Sequence, residues 1–461
     1  MRLGDRIAIA WLGTFMTNGA GLACGIATGI IAARLLQPEG RGLLAVLQFW
    51  PALLWSIGLL SVREAVSHRI ARAGGQRQGI AASALWVTLA LAFVTTLVAL
   101  IAIPFLLGSE RREVWTIALL YAVTIIPLMS LMATLRGLDQ GELRFVRHNA
   151  WGLIPALIYL SGLLTIWALD LISVTTALGA FWLGTFVTAV VLVTLRWQEV
   201  TRHPSWQEMR RLLSLTTRFH STNLSFLLAS QVDRLAIMLF WGDASIGLYA
   251  VALTWASSGL NTITMSFRTV MFPHLSAQTD EARARSLLAV GLRYASCILA
   301  LGTLALAAVT WWLLPFLFGA AFRAAVPVAL ILLAANWPFA LRQIINQSLR
   351  GFGQARPGTI AELATIVTFA LGVWPLARGF GLAGVATALL LANLASLVYL
   401  IYYLERRVGL RPGDWWGLNP GTLAEMLRLL ATQMPWLPGM PRTAAPSPAA
   451  TVGNNDMPDK L

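Results

Sequence analysis

Apolar residues in this chain come in long runs, mostly 20 to 27 residues, separated by short polar stretches. At 1.5 Å per residue, a run of that length reaches across ~30 Å of hydrocarbon. The pattern predicts an all-α polytopic membrane protein. Its twelve expected spans cover about 7–33, 43–62, 80–107, 114–135, 150–169, 172–195, 214–240, 245–272, 287–318, 323–349, 357–377 and 381–404. A transmembrane barrel would need alternating segments of ~10 residues, which are absent. Prolines at 51, 104, 127, 155, 315, 327, 338 and 375 fall inside spans and are expected to bend them. Backbone groups that a proline frees in lipid must find other partners.

Composition agrees with the pattern: of 461 residues 57% are hydrophobic and only 12% charged, too apolar for a soluble chain of this length. Lys460 is the only lysine, so arginine carries nearly all the positive charge. One set of connections holds Arg63, Arg69, Arg72 and Arg77, then Arg136, Arg144 and Arg147, then Arg196, Arg202, Arg210 and Arg211, then Arg283 and Arg285, then Arg350 and Arg356. The opposite set holds only Arg34, Arg41, Arg111, Arg112, Arg323 and Arg378. Positive-inside bias therefore predicts that both termini are cytoplasmic. On this reading the net charge of +14 is mostly a topology signal. Anionic lipid at the inner leaflet is the expected partner, and nucleic acid is not. The first apolar stretch is too long for a cleavable signal peptide. Cys24 and Cys297 both lie within spans and are expected to be free thiols.

Leu-Arg-Gly-x-x-Gln occurs twice, at Arg136 and at Arg350, each time where an apolar run gives out. A shift of 205 residues lays "GLLAVLQFW" (42–50) on "GLYAVALTW" (247–255) and "SVR" (61–63) on "SFR" (266–268), with seven identities in 22 positions. The chain reads as two related six-helix lobes. Six spans return the chain to its starting side, so the repeats are parallel, about an axis along the membrane normal. The expected division is an N-terminal lobe over 1–200, a cytoplasmic linker over 201–213, a C-terminal lobe over 214–405 and a partly disordered tail over 406–461. Two lobes around a central cavity can rock and so give alternating access.

Four stretches carry a family resemblance: "AARLLQPEGRGLLAVLQFW", "FWGDASIGLYAVALTW" with "MFPHLSA", "LLPFLFGAAF", and "LRGFGQ" with "GFGLAGVATALLLANL". Over roughly residues 1–405 the chain resembles the polysaccharide-type lipid flippases of the MOP superfamily, the Wzx-type O-antigen and exopolysaccharide exporters. The resemblance implies a two-lobed transporter that moves undecaprenyl-pyrophosphate-linked oligosaccharide from the cytoplasmic to the periplasmic leaflet. It implies no cofactor. Polysaccharide polymerase machinery is a possible partner.

Ionisable residues inside spans are costly and usually face a cavity or a partner. Arg63 and Arg268 match across the repeat, and two guanidiniums could grip one diphosphate. Arg342, Asn346 and Arg350 lie at i, i+4 and i+8 and should form one polar stripe. Arg136, Arg234 and Asn18 complete the expected substrate-binding set. Asp233 is the expected carboxylate for coupling to H⁺ or Na⁺. Gly21, Gly25 and Gly29, spaced by four, are expected to let helices pack closely.

The sequence has no G-x-x-x-x-G-K-[ST] and no H-E-x-x-H, and every outer connection is short, so the chain is not expected to be an enzyme. Two other transporter classes stay open. An ion-coupled multidrug exporter of the same superfamily would hold cationic drugs with buried carboxylates, whereas the charge inside these spans is mainly arginine. A lipid II flippase would share the arginine logic but resembles fourteen helices rather than twelve.

Overall fold

The computed structural model describes residues 3–72, 77–201, 203–276, 280–352 and 354–418, with pieces of 421–428. At 3–15, 18, 77–78, 145, 200, 221–222, 262, 266, 268–276 and 281 it describes the backbone alone. The order is α1 (Leu3–Gly58), α2 (Val62–Ala71), α3 (Arg77–Leu107), α4 (Trp115–Gly141), α5 (Phe145–Ala168), α6 (Val174–Leu195), the single turn α7 (Trp197–Val200), α8 (Trp206–Ala229), α9 (Val232–Phe240), α10 (Asp243–Ser276), α11 (Glu281–Phe318), α12 (Val326–Gly351), α13 (Arg356–Tyr403) and the single turn α14 (Pro412–Trp415). Among the described residues there is no strand. Eight helices there are long and apolar enough to cross a membrane. The count is nine if Asn223–Ala229 and Val232–Phe240, bent by 48°, form one span. Large apolar side chains such as Phe105, Trp311, Phe316 and Leu371 stand exposed on the outside. That is the surface a lipid-embedded bundle presents.

The two longest helices are hairpins. α1 leaves helical geometry at Gln37 (φ 58°, ψ 178°). A straight helix of 56 residues would run ~84 Å, far beyond the ~30 Å of hydrocarbon, so the chain turns at this break. α13 breaks at Gly381 (φ 56°), a backbone region open to glycine. A Cβ on Gly384 would collide with the carbonyl of Leu376. Residues eight apart on a straight helix are separated by ~12 Å, so the chain has folded back. Both breaks fall where the sequence separates expected spans, between 33 and 43 and between 377 and 381.

These turns define a hairpin end and, opposite it, a linker end around residues 196–206. At the hairpin end the two halves of the chain are tied together. Arg111 pairs with Asp243 at 2.8 Å. Arg34 donates to the carbonyls of Phe316 (2.5 Å) and Leu317 (2.7 Å). Gly42 and Gly247 meet backbone to backbone: a Cβ on Gly42 would strike the carbonyl of Asp243, and one on Gly247 would strike that of Pro38. This contact is reciprocal under the 205-residue shift, which carries Gly42 to Gly247 and Pro38 to Asp243. Small residues permit such close approach of helices. Of the glycines expected to do so in α1, Gly29 touches a neighbour, whereas Gly21 and Gly25 have open space around them.

The stretch expected as a linker, 201–213, is largely helical. α8 already begins at Trp206, and its first half rests on α2 and α3. Arg69 forks onto Glu208 (2.8 and 3.0 Å), and the backbone N–H of Ser205 donates to Ser83 Oγ at 2.9 Å. The stretch "SWQEMRRLL" is amphipathic enough to form a helix once α2 offers a surface. After α13, residues 409–418 dock on α11. Trp415 is fully buried and Arg293 donates to the Asp414 carbonyl at 2.6 Å. The Pro-rich tail expected to be disordered lies outside the described residues. Cys24 and Cys297 are buried free thiols.

Candidate functional site

Towards the linker end the two halves separate around a cavity of about 460 Å³. This is within the ~300–1,000 Å³ typical of ligand pockets. The N-terminal half contributes Trp55 and Ser56 from α1 and Ser61, Arg63 and Glu64 from the start of α2. The C-terminal half contributes Asn223 and Phe226 from α8 and Gln343, Asn346, Gln347 and Arg350 from α12.

A local break puts Arg63 on this wall. The expected second span ran to residue 62, but the helix ends at Gly58. Leu60 and Ser61 then adopt positive φ (51° and 61°) before α2 starts. Such angles are strained for side-chain-bearing residues. Ser61 Oγ accepts from Asn223 Nδ2 at 3.3 Å, which ties the turn to α8 across the two halves. Arg63 is 45% exposed and bonds its own neighbour, Glu64, at 2.9 Å. An exposed pair of this kind is worth ~0–1 kcal/mol, so a phosphate can displace the carboxylate at little cost. Arg350, on the opposite wall, has no carboxylate within ion-pair distance among the described residues. Two cations, one from each half, thus line a space that also holds the Glu64 carboxylate, amides, hydroxyls, a histidine and apolar side chains.

The polar stripe on α12 divides. Asn346 lines the cavity and Arg350 does also, but Arg342 is fully buried and turned the other way, into the C-terminal half. There it pairs with Glu362 of α13 at 3.2 Å, donates to Thr365 and Ser396, and lies over the Phe339 ring at 5.3 Å. Glu362 is 1% exposed. It explains why Arg342 leaves the cavity: a buried carboxylate needs a partner, and the guanidinium supplies it. Glu362 also accepts from Gln343 Nε2 and Asn346 Nδ2, each at 3.3 Å. Gly358 makes room for this, since a Cβ there would overlap the Asn346 side chain. The buried pair is therefore one hydrogen bond away from side chains on the cavity wall. Sequence reasoning missed Glu362, although it is the only acid in the run 357–377.

The remaining expected residues are dispersed. Asp233, in the first turn of α9, is buried and accepts from Tyr249 Oη at 2.7 Å. Arg234 donates to Gln231 Oε1 at 2.9 Å. Neither lines the cavity. Arg136 lies between α4 and α5 against Gly152, and its backbone carbonyl meets His148 Nδ1 at 3.0 Å. So the two Leu-Arg-Gly arginines differ: Arg350 is on the cavity wall and Arg136 beside it. The side chains of Arg268 and Asn18 lie outside the described residues.

The fold has relatives among solved structures. The lipid II flippase MurJ in an inward closed conformation aligns over 94% of this chain and 94% of its own, at 13% identity and a TM-score of 0.74. An inward-facing multidrug resistance MATE family transporter of the MOP superfamily aligns over 87% of this chain and 98% of its own, at 19% identity and a TM-score of 0.70. An outward-facing MATE transporter reaches 0.59 at 17% identity, over 86% of this chain and 94% of its own. These likenesses show that the chain shares the fold of these transporters, and its long apolar helices make it a multi-pass membrane protein. No curated protein matches it by sequence. A family model described as "Polysaccharide biosynthesis protein" matches residues 31–327, well over half of the chain, and the chain belongs to that family.

Proposed function

We propose that the protein is a flippase that carries undecaprenyl-pyrophosphate-linked oligosaccharide from the cytoplasmic to the periplasmic leaflet of the bacterial inner membrane. In this reading the chain makes twelve crossings, both termini are cytoplasmic, and the linker end faces the cytoplasm. The lobes are 1–200 and 214–405, joined by 201–213 and followed by the tail 406–461. One observation carries the reading: a cavity between the halves, closed at the hairpin end by the Gly42–Gly247 contact, with Arg63 and Arg350 on facing walls. A diphosphate is the group such a pair suits, because each guanidinium can donate a fork of N–H bonds to phosphate oxygens. Arg268, matched to Arg63 by the repeat, is proposed to join them.

Breaking the hairpin-end contacts and closing the linker end would expose the same walls to the other leaflet, which is alternating access. Coupling to H⁺ or Na⁺ is proposed to use a buried carboxylate. Asp233 is the one expected from sequence, and Glu362 is the one connected to the cavity wall. Asp233→Asn and Glu362→Gln, each assayed with and without an imposed ΔpH or sodium gradient, assign the role.

The multidrug reading needs a free carboxylate in the cavity. Glu64 is there, but Arg63 bonds it. The lipid II reading shares the diphosphate chemistry. Binding of undecaprenyl diphosphate to the purified protein, with a lipophilic cation as competitor, tests the proposal. Undecaprenyl diphosphate should bind and resist the cation. Preferential binding of the cation would turn the reading to drug export.

A further inference from the structure

Outside the central cavity, at the linker end, α2 and the first half of α8 enclose a groove of about 700 Å³. Arg69 and Arg72 reach it from α2, and Trp206, Arg210 and Arg211 from α8. Arg72, Arg210 and Arg211 are exposed along the groove, Arg69 is partly buried, and a carboxylate fixes two of the four. Arg69 binds Glu208 through Nε (3.0 Å) and Nη2 (2.8 Å), and Arg211 binds the same group through Nη1 (2.8 Å). Arg72 and Arg210 have no carboxylate within ion-pair distance among the described residues. Four guanidiniums therefore face one carboxylate, in a pocket large enough for a phosphate-bearing head. Trp206 is 71% exposed beside it and Trp197 is also exposed, as indoles are at headgroup depth.

The groove is also placed on a route. α2 and α8 run antiparallel: Ser61, Arg63 and Glu64 with His220, Asn223 and Phe226 line the central cavity, whereas His68, Arg69 and Arg72 with Trp206, Arg210 and Ser214 line the groove. The edge-to-face contact of His68 and Phe219 (5.7 Å) stands between them. Groove and cavity are two stations on one helix seam.

We infer that the groove is a second phosphate site, which holds the phosphate head of a membrane lipid beside the central cavity. Two sources share this chemistry: a bulk anionic phospholipid, and the diphosphate carrier itself. The use of the groove as a loading station rests on the flippase reading, whereas binding of a lipid phosphate there does not.

Native mass spectrometry of the full chain in neutral detergent, titrated with phosphatidylglycerol, undecaprenyl diphosphate or phosphatidylcholine, tests the inference. The variants are Arg72→Gln/Arg210→Gln in the groove and Arg63→Gln/Arg350→Gln in the cavity. At about 1 kcal/mol per arginine, the groove variant should weaken one phosphate-lipid adduct by about 30-fold. The cavity variant should keep that adduct, and added salt should weaken it. Arg72→Lys/Arg210→Lys should recover part of the affinity, which separates charge from misfolding. Equal retention of phosphatidylglycerol and undecaprenyl diphosphate makes the occupant bulk lipid, and preference for the diphosphate makes it the carrier. The inference is overturned if the groove variant titrates like the parent, or if phosphatidylcholine binds as well. Loss of diphosphate binding in the cavity variant alone would leave the flippase reading standing and remove the groove.

Discussion

The two halves bury charge in different places. In the N-terminal half, Arg196 gathers Asp139 (2.5 Å), Glu142 (2.9 Å) and Glu199 (2.6 Å) where α4 and α6 end. In the C-terminal half, Arg342 and Glu362 meet nine residues before the end of α12, ~13 Å deep along the helix. The rim network joins helix ends, and Glu199 stays 33% exposed, so water can share its load. The deep pair has no such relief and depends on Thr365, Ser396, Gln343 and Asn346. A repeated fold has thus been given a structural staple in one half and a cavity-linked ion pair in the other.

The largest effect should come from breaking the deep pair. Arg342→Ala leaves Glu362 as an uncompensated buried charge, worth about 3–5 kcal/mol. Thermal unfolding in detergent should show a sharp loss of Tm, largely restored in Arg342→Met/Glu362→Met. Arg196→Ala should cost less, about 1–3 kcal/mol, because Glu199 reaches water and the buried Asp139 keeps a second cation, Arg147, at 3.3 Å. Equal losses would erase the distinction between the halves.

The cavity wall comes next. Arg63→Ala and Arg350→Ala should each weaken binding of undecaprenyl diphosphate by about 10- to 150-fold, from charge-assisted bonds of about 1.5–3 kcal/mol. Their Tm should stay near the parent's, and Arg63→Lys should rescue binding in part. Arg342→Ala, by contrast, should harm stability and binding together.

Gly42→Ala and Gly247→Ala test reciprocity. Each Cβ meets a backbone carbonyl, an overpacking cost of about 1–3 kcal/mol. The two losses of Tm should match, while Gly25→Ala should be silent. A large inequality would break the pseudo-twofold account.

The smallest effect is a pH dependence at the linker end. Hydrogen bonds from Arg69, and then from Arg211, hold the Glu208 carboxyl below its ordinary value. Its folded pKa is depressed, so its contribution is present above the unfolded value of ~4.3 and is lost as pH falls through the folded one. Between pH 5 and pH 3 the parent should lose slightly more stability than Glu208→Gln. The difference should be below about 1 kcal/mol, because the group is partly exposed.

The membrane made much of the fold legible. A bilayer demands long apolar runs, so the all-α membrane fold could be read from the sequence, and the 205-residue shift led to the Gly42–Gly247 match. What periodicity does not report is backbone geometry. The breaks at Gln37 and Gly381 fall between expected spans, whereas those at Leu60–Ser61 and Ser230–Gln231 fall inside runs read as single spans, 43–62 and 214–240. Site residues were legible where one helix carries them, as with Asn346 and Arg350. Arg342 was not, because its partner Glu362 lies on another helix. Asp233 looked available for coupling because Tyr249, which donates to it, lies 16 residues on. The repeat pointed from Arg63 to Arg268, whose side chain lies outside the described residues, and Arg350, also expected from sequence, lines the cavity with Arg63.

The most direct test of the account is flux in proteoliposomes that hold a fluorescent undecaprenyl-pyrophosphate-linked oligosaccharide, with an impermeant quencher outside. The intact protein should make the label accessible from both leaflets. Arg63→Ala/Arg350→Ala, at equal protein level and Tm, should fall to the rate of empty vesicles. Equal flux by parent and double variant, or no flux by the parent, would contradict the account.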